Sequence, residues 1–414
     1  MKTAKLDDYI KSPKPWEVKG VEWREVRLGD ICKNIESGGT PKRSVKEYWN
    51  GDIEWVRSEV CQNQYVYPTM VKERITEAGL LNSNAKIFPK DTILIALVGA
   101  TLGKVGYLTF PAATNQNIAG IYNCDSVLPK YLFYSLISST FLKSYGRKLF
   151  KMLNLKKVRK ISIYLPFRNG KPDLETQKKI VEYIEANFSR IDKILEKKKK
   201  ELEQLDELWE SVLEQAFKPK EGEEWREVRL GDKTIAEIIM GQSPPSNSYN
   251  KKGKGVLFLQ GNKEFRELYP KPIIYTTDPK KLCKKNDVLI SVRAPVGDVN
   301  IADGEYCIGR GLAAIRFNGE SKYLFYLLIN MKERIEDLGR RGTTFKAITK
   351  NHLKNLKIPL PFHNNQPDLE KQKEIANYLD SVYEKIKALK EKIHNQISQL
   401  KEMKESILEE VFGH

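Results

Sequence analysis

Histidine is nearly absent from this chain of 414 residues: His352, His363, His394 and His414 are the only four, so residues 1–351 contain none. Histidine-based acid–base, triad or metal chemistry is thereby excluded from the first five-sixths of the chain. Cysteine is almost as sparse. Cys32, Cys61, Cys124, Cys283 and Cys307 lie far apart, with no Cys-x-x-Cys pair and an odd total. Neither a disulfide framework nor a zinc knuckle is expected, and all five read as small buried hydrophobes. No apolar run approaches the ~20 residues that cross a bilayer, and the opening Met1-Lys2-Thr3-Ala4-Lys5-Leu6-Asp7-Asp8 lacks the apolar stretch of a signal peptide. The expectation is a cytoplasmic protein without membrane contact. What is present, 40% hydrophobic and 30% charged residues, suits two or three globular domains at roughly 150 residues each.

The chain repeats itself. Glu22-Trp23-Arg24-Glu25-Val26-Arg27-Leu28-Gly29-Asp30 recurs unchanged as Glu224 to Asp232. Leu165-Pro166-Phe167, followed by Pro172-Asp173-Leu174-Glu175-x-Gln177-Lys178-x-Ile180, returns as Leu360-Pro361-Phe362 and Pro367-Asp368-Leu369-Glu370-x-Gln372-Lys373-x-Ile375. Between these anchors the copies diverge. The interiors alternate short β-type runs, such as Asp91–Ile95 and Asp287–Ser291, with Gly/Pro/Asn turns and helical stretches at Lys130–Leu142 and Ser321–Ile335. Each is a mixed α/β domain, over residues 22–170 and 224–365.

Proline and glycine are missing outright from residues 173–217 and 368–412, which predicts one long helix in each of the segments 171–223 and 366–414. The first carries Ile184, Phe188, Ile191, Leu195, Lys198, Leu202 and Leu205 at spacings of four and three; the second carries Leu379, Ile386, Leu389, Ile393, Leu400 and Ile407 on one stripe. At ~1.5 Å per residue such helices are about 65 Å long, too long to lie on one domain, so they are expected to pack on each other. Asp173 and Asp368 read as N-caps, with Glu175 and Glu370 in the first turn, rather than as a nuclease Pro-Asp…Glu-x-Lys signature. Lys198 corresponds to Ile393 and either fixes register beside it or extends its ammonium to solvent. Residues 1–21 resemble the exit of a helix segment, as though completing a circular repeat of domain, helix, domain, helix about a pseudo-twofold axis.

Basic residues outnumber acidic ones, for a net charge of +17. The excess is +10 in each of residues 22–170 and 224–365, against −3 and −2 in the helix segments. A Lys/Glu-rich thermophile surface would be balanced; two separately basic domains point to two contacts with one polyanion, most naturally duplex DNA.

Catalytic motifs are weak. Gly99-Ala100-Thr101-Leu102-Gly103-Lys104 has one residue too few between its glycines for a phosphate loop, and Val105 stands where a Ser or Thr would hold magnesium. Gly309-Arg310-Gly311-Leu312-Ala313-Ala314 lacks the ribose-binding acid of a dinucleotide site. No Asn/Asp-Pro-Pro-Tyr/Phe run is present to hold a flipped adenine, so the chain does not read as an enzyme. The polar and basic loops suit binding instead: Thr40, Lys42, Arg43, Arg57, Asn115, Gln116 and Asn117 in the first copy, with Lys148, Lys151 and Lys156 before its last strand; Gln260, Asn262, Lys263, Arg293 and Arg310 in the second, with Arg341, Thr344 and Lys346 in a basic Gly-Thr loop leading to the last strand. Any one such residue is more often plain surface than a base reader. The repeated Trp-Arg-Glu-Val-Arg-Leu-Gly-Asp is read as structural, with Trp23, Val26, Leu28 and Trp225, Val228, Leu230 anchoring an opening strand and Asp30 or Asp232 capping a following helix.

With the paired openings Trp23…Leu28-Gly29-Asp30 and Trp225…Leu230-Gly231-Asp232, the blocks Gly38-Gly39-Thr40-Pro41 and Tyr48-Trp49-x-Gly51-Asp52-Ile53-x-Trp55, Gly241-Gln242-Ser243-Pro244-Pro245 with Phe258-Leu259-Gln260-Gly261, and the paired Leu-Pro-Phe…Pro-Asp-Leu-Glu blocks, the chain resembles, over essentially its whole length, the DNA-specificity subunits of type I restriction-modification systems. The resemblance implies an α+β protein with two target recognition domains, each reading half of a bipartite asymmetric DNA site, and two long helices packed as an antiparallel coiled coil that set the gap and dock two modification (methyltransferase) subunits. It implies no cofactor or metal in this chain, with S-adenosylmethionine on the modification subunits and ATP and magnesium on restriction (translocase/endonuclease) subunits. The rival readings are an architectural protein bridging DNA through phosphates alone, and an enzyme with an unrecognised carboxylate–metal site.

Overall fold

In a computed structural model, residues 14–139, 142, 152–341, 344–345 and 347–413 are described, the side chains of 340, 341, 344 and 345 excepted. The chain divides into two compact units, residues 1–198 with 395–414, and residues 199–394. Each contains one globular copy and half of each long helix.

The repeated openings form the same element in both units. Glu22–Arg27 pairs antiparallel with Ser162–Arg168, and Glu224–Arg229 pairs antiparallel with Lys357–His363. Trp23, Val26, Trp225 and Val228 pack on the cores while Leu28 and Leu230 are fully buried. Hairpins continue both sheets through Asn169-Gly170 and Asn364-Asn365, all four at positive φ, as a two-residue turn between twisted strands requires. The expected Asp caps do not form here: Asp30 lies inside the one-turn helix Leu28–Ile31, and Asp232 closes a turn by accepting from the Thr234 amide at 2.9 Å.

Two further sheets fill each unit. In the first, one runs in the order Cys32–Ser37, Ile118–Cys124, Ile93–Ala96, Val105–Leu108, Gln64–Val66; the other runs Glu73–Ile75, Trp49–Val56, Ala112–Thr114, Ile87–Phe88. The second unit repeats this as Ala236–Met240, Leu312–Phe317, Val288–Ser291, Val299–Ile301, and as Tyr249–Asn250, Ile274–Thr276, Val256–Leu259, Tyr306–Ile308, Leu282–Cys283. The four-residue strands Ile93–Ala96 and Val288–Ser291 are buried throughout, as their apolar runs predict. One cysteine expectation is overturned: Cys32 and Cys124 face each other in register across neighbouring antiparallel strands and form a disulfide, while Cys61, Cys283 and Cys307 are buried thiols.

A helix buried nearly all round lies under the sheets in each unit, Pro129–Ser138 and Ser321–Asn330. Both are shorter than their apolar runs suggest; the second breaks at Met331 before a separate helix, Lys332–Leu338. Both carry Lys-Tyr-Leu-Phe-Tyr, and Tyr131 and Tyr323 donate to the carbonyls of Tyr164 and Pro359 at 2.8 and 2.9 Å. The fully buried amides of Gln177 and Gln372 then join the long helices to the chain entering these helices, accepting from the amides of Leu128 at 2.9 Å and Glu320 at 3.0 Å.

The long helices run Leu174–Ala216 and Leu369–Phe412. Asp173 caps the first, accepting from the Thr176 amide at 3.0 Å, and Asp368 the second, accepting from the Lys371 amide at 2.9 Å. In the first unit the opening half of one helix packs on the closing half of the other: Ile184, Phe188, Ile191 and Leu195 join a core with Leu400 and Ile407, and Asp192 bonds Lys404 at 2.5 Å. In the second unit Asp206 pairs with Lys390, and the Trp209 ring packs at a tilt against Tyr383, 5.2 Å between centres; the opposed order of these contacts makes the pair antiparallel. Leu379 and Ile386 are buried, Leu202 and Leu205 half-buried. Leu389, by contrast, is off the packed stripe at 47% exposure. Lys198 is half-buried and Ile393 buried. Among the described residues no helix is long and apolar enough to cross a membrane.

Candidate nucleic-acid interface

One set of backbone hydrogen bonds recurs in both units and frames the candidate site. In the first, the Gly38 amide donates to Ile118 (3.4 Å), Gly39 to Thr114 (2.9 Å), Asn115 to Val56 (3.0 Å), Leu97 to Asn117 (2.8 Å) and Leu153 to Leu97 (2.9 Å). In the second, Gly241 donates to Leu312 (2.9 Å), Gln242 to Ile308 (2.9 Å), Gly309 to Leu259 (2.8 Å), Val292 to Gly311 (2.8 Å) and Ile348 to Val292 (2.9 Å). Parallel strand pairs underlie both, Val56 beside Thr114 and Leu259 beside Ile308. The frame demands glycine where the turn crosses the next strand: a Cβ on Gly38 would lie 2.1 Å from the Thr114 carbonyl oxygen, and one on Gly241 would lie 2.1 Å from that of Gly309. This correspondence equates Arg57 with Gln260, Gln116 with Arg310, and Thr40 with Ser243.

The residues singled out in the sequence meet different fates on this frame. Gln116 is exposed, and its amide oxygen accepts from the Thr40 hydroxyl. Both line a groove of about 730 Å³ that also holds Asn84, Lys86 and Leu155. Lys156 is exposed on the short helix Leu155–Arg159. Asn115 is buried, and its carboxamide oxygen accepts from the Asn117 amide at 3.2 Å; it shapes the turn and is closed to a ligand. Asn117 is half-buried and gives its carbonyl to Leu97.

Arg43 and Arg57 converge on Glu73. The Arg43 guanidinium bonds both carboxylate oxygens and stacks over Trp49 at 3.8 Å from the ring centre, and Arg57 approaches Glu73 at 3.7 Å. The hydrogen bond from Arg43 is the main reason that the Glu73 carboxyl is held below its ordinary range. Arg43 is thereby a brace, whereas Arg57, equally exposed, makes only the longer contact. Lys42 is exposed beside this cluster. On the groove rim, Lys86 bonds Glu36 at 2.8 Å and lowers its pKa.

In the second unit Gln260, Lys263, Arg293 and Arg310 are exposed. The Val292–Gly311 hydrogen bond sets Arg293 and Arg310 on adjoining loops, and the Arg310 amide is held by the Ser243 hydroxyl at 3.2 Å. Asn262 is a brace, donating at 2.7 Å to Asp298, which Lys332 also holds. Arg341 and Thr344 lie on the short hairpin Arg340–Arg341 and Thr344–Phe345; a helix, Lys350–Asn355, separates it from the last strand, which the loop was expected to precede directly. Lys148, Lys151 and Lys346 lie outside the described residues.

Ser243, Glu73 and Trp49 are contributors that sequence reasoning did not select. Ser243 carried a signal, its place in a Gly-Gln-Ser-Pro-Pro turn matching Gly38-Gly39-Thr40-Pro41. The two glycine-rich near-motifs resolve as turns between strands: Gly99–Lys104 joins Ile93–Ala96 to Val105–Leu108, with Lys104 on Gln62 at 2.5 Å, and Gly309–Gly311 joins Tyr306–Ile308 to Leu312–Phe317. Gly99–Thr101 makes only a single 3-10 turn and neither motif opens an α-helix, so neither forms a helix-terminal phosphate cradle.

The two units thus repeat one backbone frame and carry unlike polar side chains on it. Comparison with known proteins gives the family: the chain belongs to the type I restriction modification DNA specificity domain family, whose model matches residues 20–204 and 222–399. A Methanocaldococcus jannaschii protein assigned to the MjaX type I restriction enzyme as its specificity subunit is 38% identical over 299 residues, 67% of each chain. A chain from structural work on complex assembly and conformational transition of the type I R-M system is 29% identical with a TM-score of 0.76, covering 94% of this chain and 97% of that one. The HsdS subunit of Thermoanaerobacter tengcongensis is 28% identical with a TM-score of 0.56, covering 95% and 97%. The chain is accordingly a DNA-specificity subunit of the type I restriction-modification kind.

Proposed function

We propose that each unit reads one half of a bipartite, asymmetric duplex site, and that the antiparallel helix pair sets the gap between the halves and docks two modification subunits. The observation that carries this reading is the duplicated frame with different side chains on it: Arg57 and Gln116 in one copy stand where Gln260 and Arg310 stand in the other. Equal frames present the same loops to a groove, and unlike side chains read unlike sequences. Exposed lysines such as Lys42, Lys156 and Lys263 supply phosphate contacts, which position a reader without specifying bases. The chain selects the site and performs no chemistry. Methyl transfer falls to modification subunits that bind S-adenosylmethionine, and translocation and cleavage to restriction subunits that use ATP and magnesium.

Hydroxyl-radical footprinting of the full chain with its modification subunits tests this reading. The expected result is two protected tracts separated by a constant unprotected stretch; one continuous tract without sequence preference contradicts it.

A further inference from the structure

We infer that the two corresponding frame positions carry the principal base-reading pair of each unit, arginine for guanine and glutamine for adenine, with the residue types exchanged between copies: Arg57 with Gln116 in the first unit, Gln260 with Arg310 in the second. The inference rests on the specificity reading above and adds to it which side chains read and what they read.

The frame makes each pair adjacent. Arg57 follows Val56, whose carbonyl accepts from Asn115, the residue before Gln116; Gln260 follows Leu259, whose carbonyl accepts from Gly309, the residue before Arg310. Both members thus leave the ends of neighbouring parallel strands, and all four side chains are exposed. The approach is close in the second unit: a Cβ on Gly309 would lie 2.8 Å from the Gln260 carbonyl oxygen, so glycine there lets the two loops meet.

Three of the four positions are steadied from behind, as a reader requires if its side chain is not to spend its binding energy on ordering. Glu73 draws Arg57, the Thr40 hydroxyl bonds the Gln116 amide oxygen and leaves its NH₂ free to donate, and Ser243 holds the Arg310 backbone. The competing polar residues are already committed: Asn115 is buried in its turn, Asn262 is bound to Asp298, and Arg43 is clamped between Glu73 and Trp49. Arginine presents two parallel N–H groups that match guanine O6 and N7, and a glutamine amide offers the donor–acceptor pair that matches adenine N7 and N6. Each half-site then contains one guanine and one adenine contact, read from exchanged positions.

The test is selection of bound duplexes from a random library by the full chain with its modification subunits, comparing the parent with Gln116→Arg, Arg310→Gln and Arg310→Lys. Arg310→Gln is expected to replace guanine by adenine at one position of one half-site, a switch in preference of roughly ten-fold or more. Gln116→Arg makes the reverse change in the other half-site, and neither alters the gap or the opposite half. Arg310→Lys keeps the charge but loses the fork, so its guanine preference falls while its thermal midpoint stays unchanged. A bipartite parental consensus that all three variants reproduce overturns the assignment and leaves the specificity reading standing. A parent that enriches no sequence overturns both.

Discussion

The Lys130 ammonium lies 2.7 Å from the Glu185 carboxylate, which also accepts from the Tyr65 hydroxyl at 2.5 Å, so one acid on the first long helix ties down both the buried helix and a sheet strand of its unit. Lys322 and Tyr326 hold Asp380 in the second unit, the hydroxyl at 2.6 Å. Removing either acid strips a lysine and a tyrosine of the acceptor they share. Glu185→Ala and Asp380→Ala are each expected to destabilise the protein by about 1–3 kcal/mol, measured by urea unfolding of the full chain. A change below a few tenths would show that the acids are surface ornaments.

Glycine at the crossing turns is a second point of sensitivity. Gly241→Ala places a methyl 2.1 Å from the Gly309 carbonyl oxygen, directly before Arg310, and forces that loop to shift. The expected outcome is a loss of about 1–3 kcal/mol of stability, together with weakened preference for one half-site and an unaltered other half, read by competition binding with duplexes mutated in each half.

Acid is predicted to loosen the second unit through Glu223. Hydrogen bonds from Lys371, on the second long helix, and from the Lys220 amide lower its carboxyl from an ordinary 4.5 to about 2. Between those values the native state binds fewer protons than the unfolded chain, so its contribution is present above pH 4.5 and is lost as pH falls towards 2. The pair is partly solvated, and the contribution is on the order of 1 kcal/mol. Comparing unfolding curves of the parent and Glu223→Gln from pH 7 to pH 2.5 should show a stability gap that closes on acidification; a constant gap would assign the effect to packing.

The helix pair as a spacer predicts a length relation. Inserting seven residues after Lys198 and seven after Ile393 preserves the heptad and lengthens both helices by about 10 Å. At about 3.4 Å per base pair the preferred gap grows by about three pairs. Unchanged half-sites with the longer gap are the expected outcome of selection; altered half-sites with the original gap would contradict the spacer role.

What the sequence displayed, and what it concealed, follows from how each feature is encoded. The long helices and their caps were legible because a three-and-four apolar spacing without proline or glycine has one structural solution, and Asp at the start of each run has one partner to find. The opening strands were legible as exact repeats. The frame was not, because its bonds join backbone amides and carbonyls far apart in sequence, such as Asn115 to Val56, and these groups carry no residue label. The same blindness hid the Cys32–Cys124 bridge, which register alone creates. Within the site, Asn115 and Gln116 are chemically alike neighbours; the turn buries the first and exposes the second, which composition does not distinguish. Arg43 and Asn262 read as free binders until Glu73 and Asp298 were seen to occupy them.

The most direct test of the central claim is selection of bound duplexes from a random library, using this chain with its modification subunits at two salt concentrations. Two short, unlike motifs at a constant gap are expected, with the same consensus at both salts and an affinity that falls as salt rises. Strongly salt-dependent binding with no enriched sequence would contradict that claim and mark the protein as a bridge between phosphate backbones.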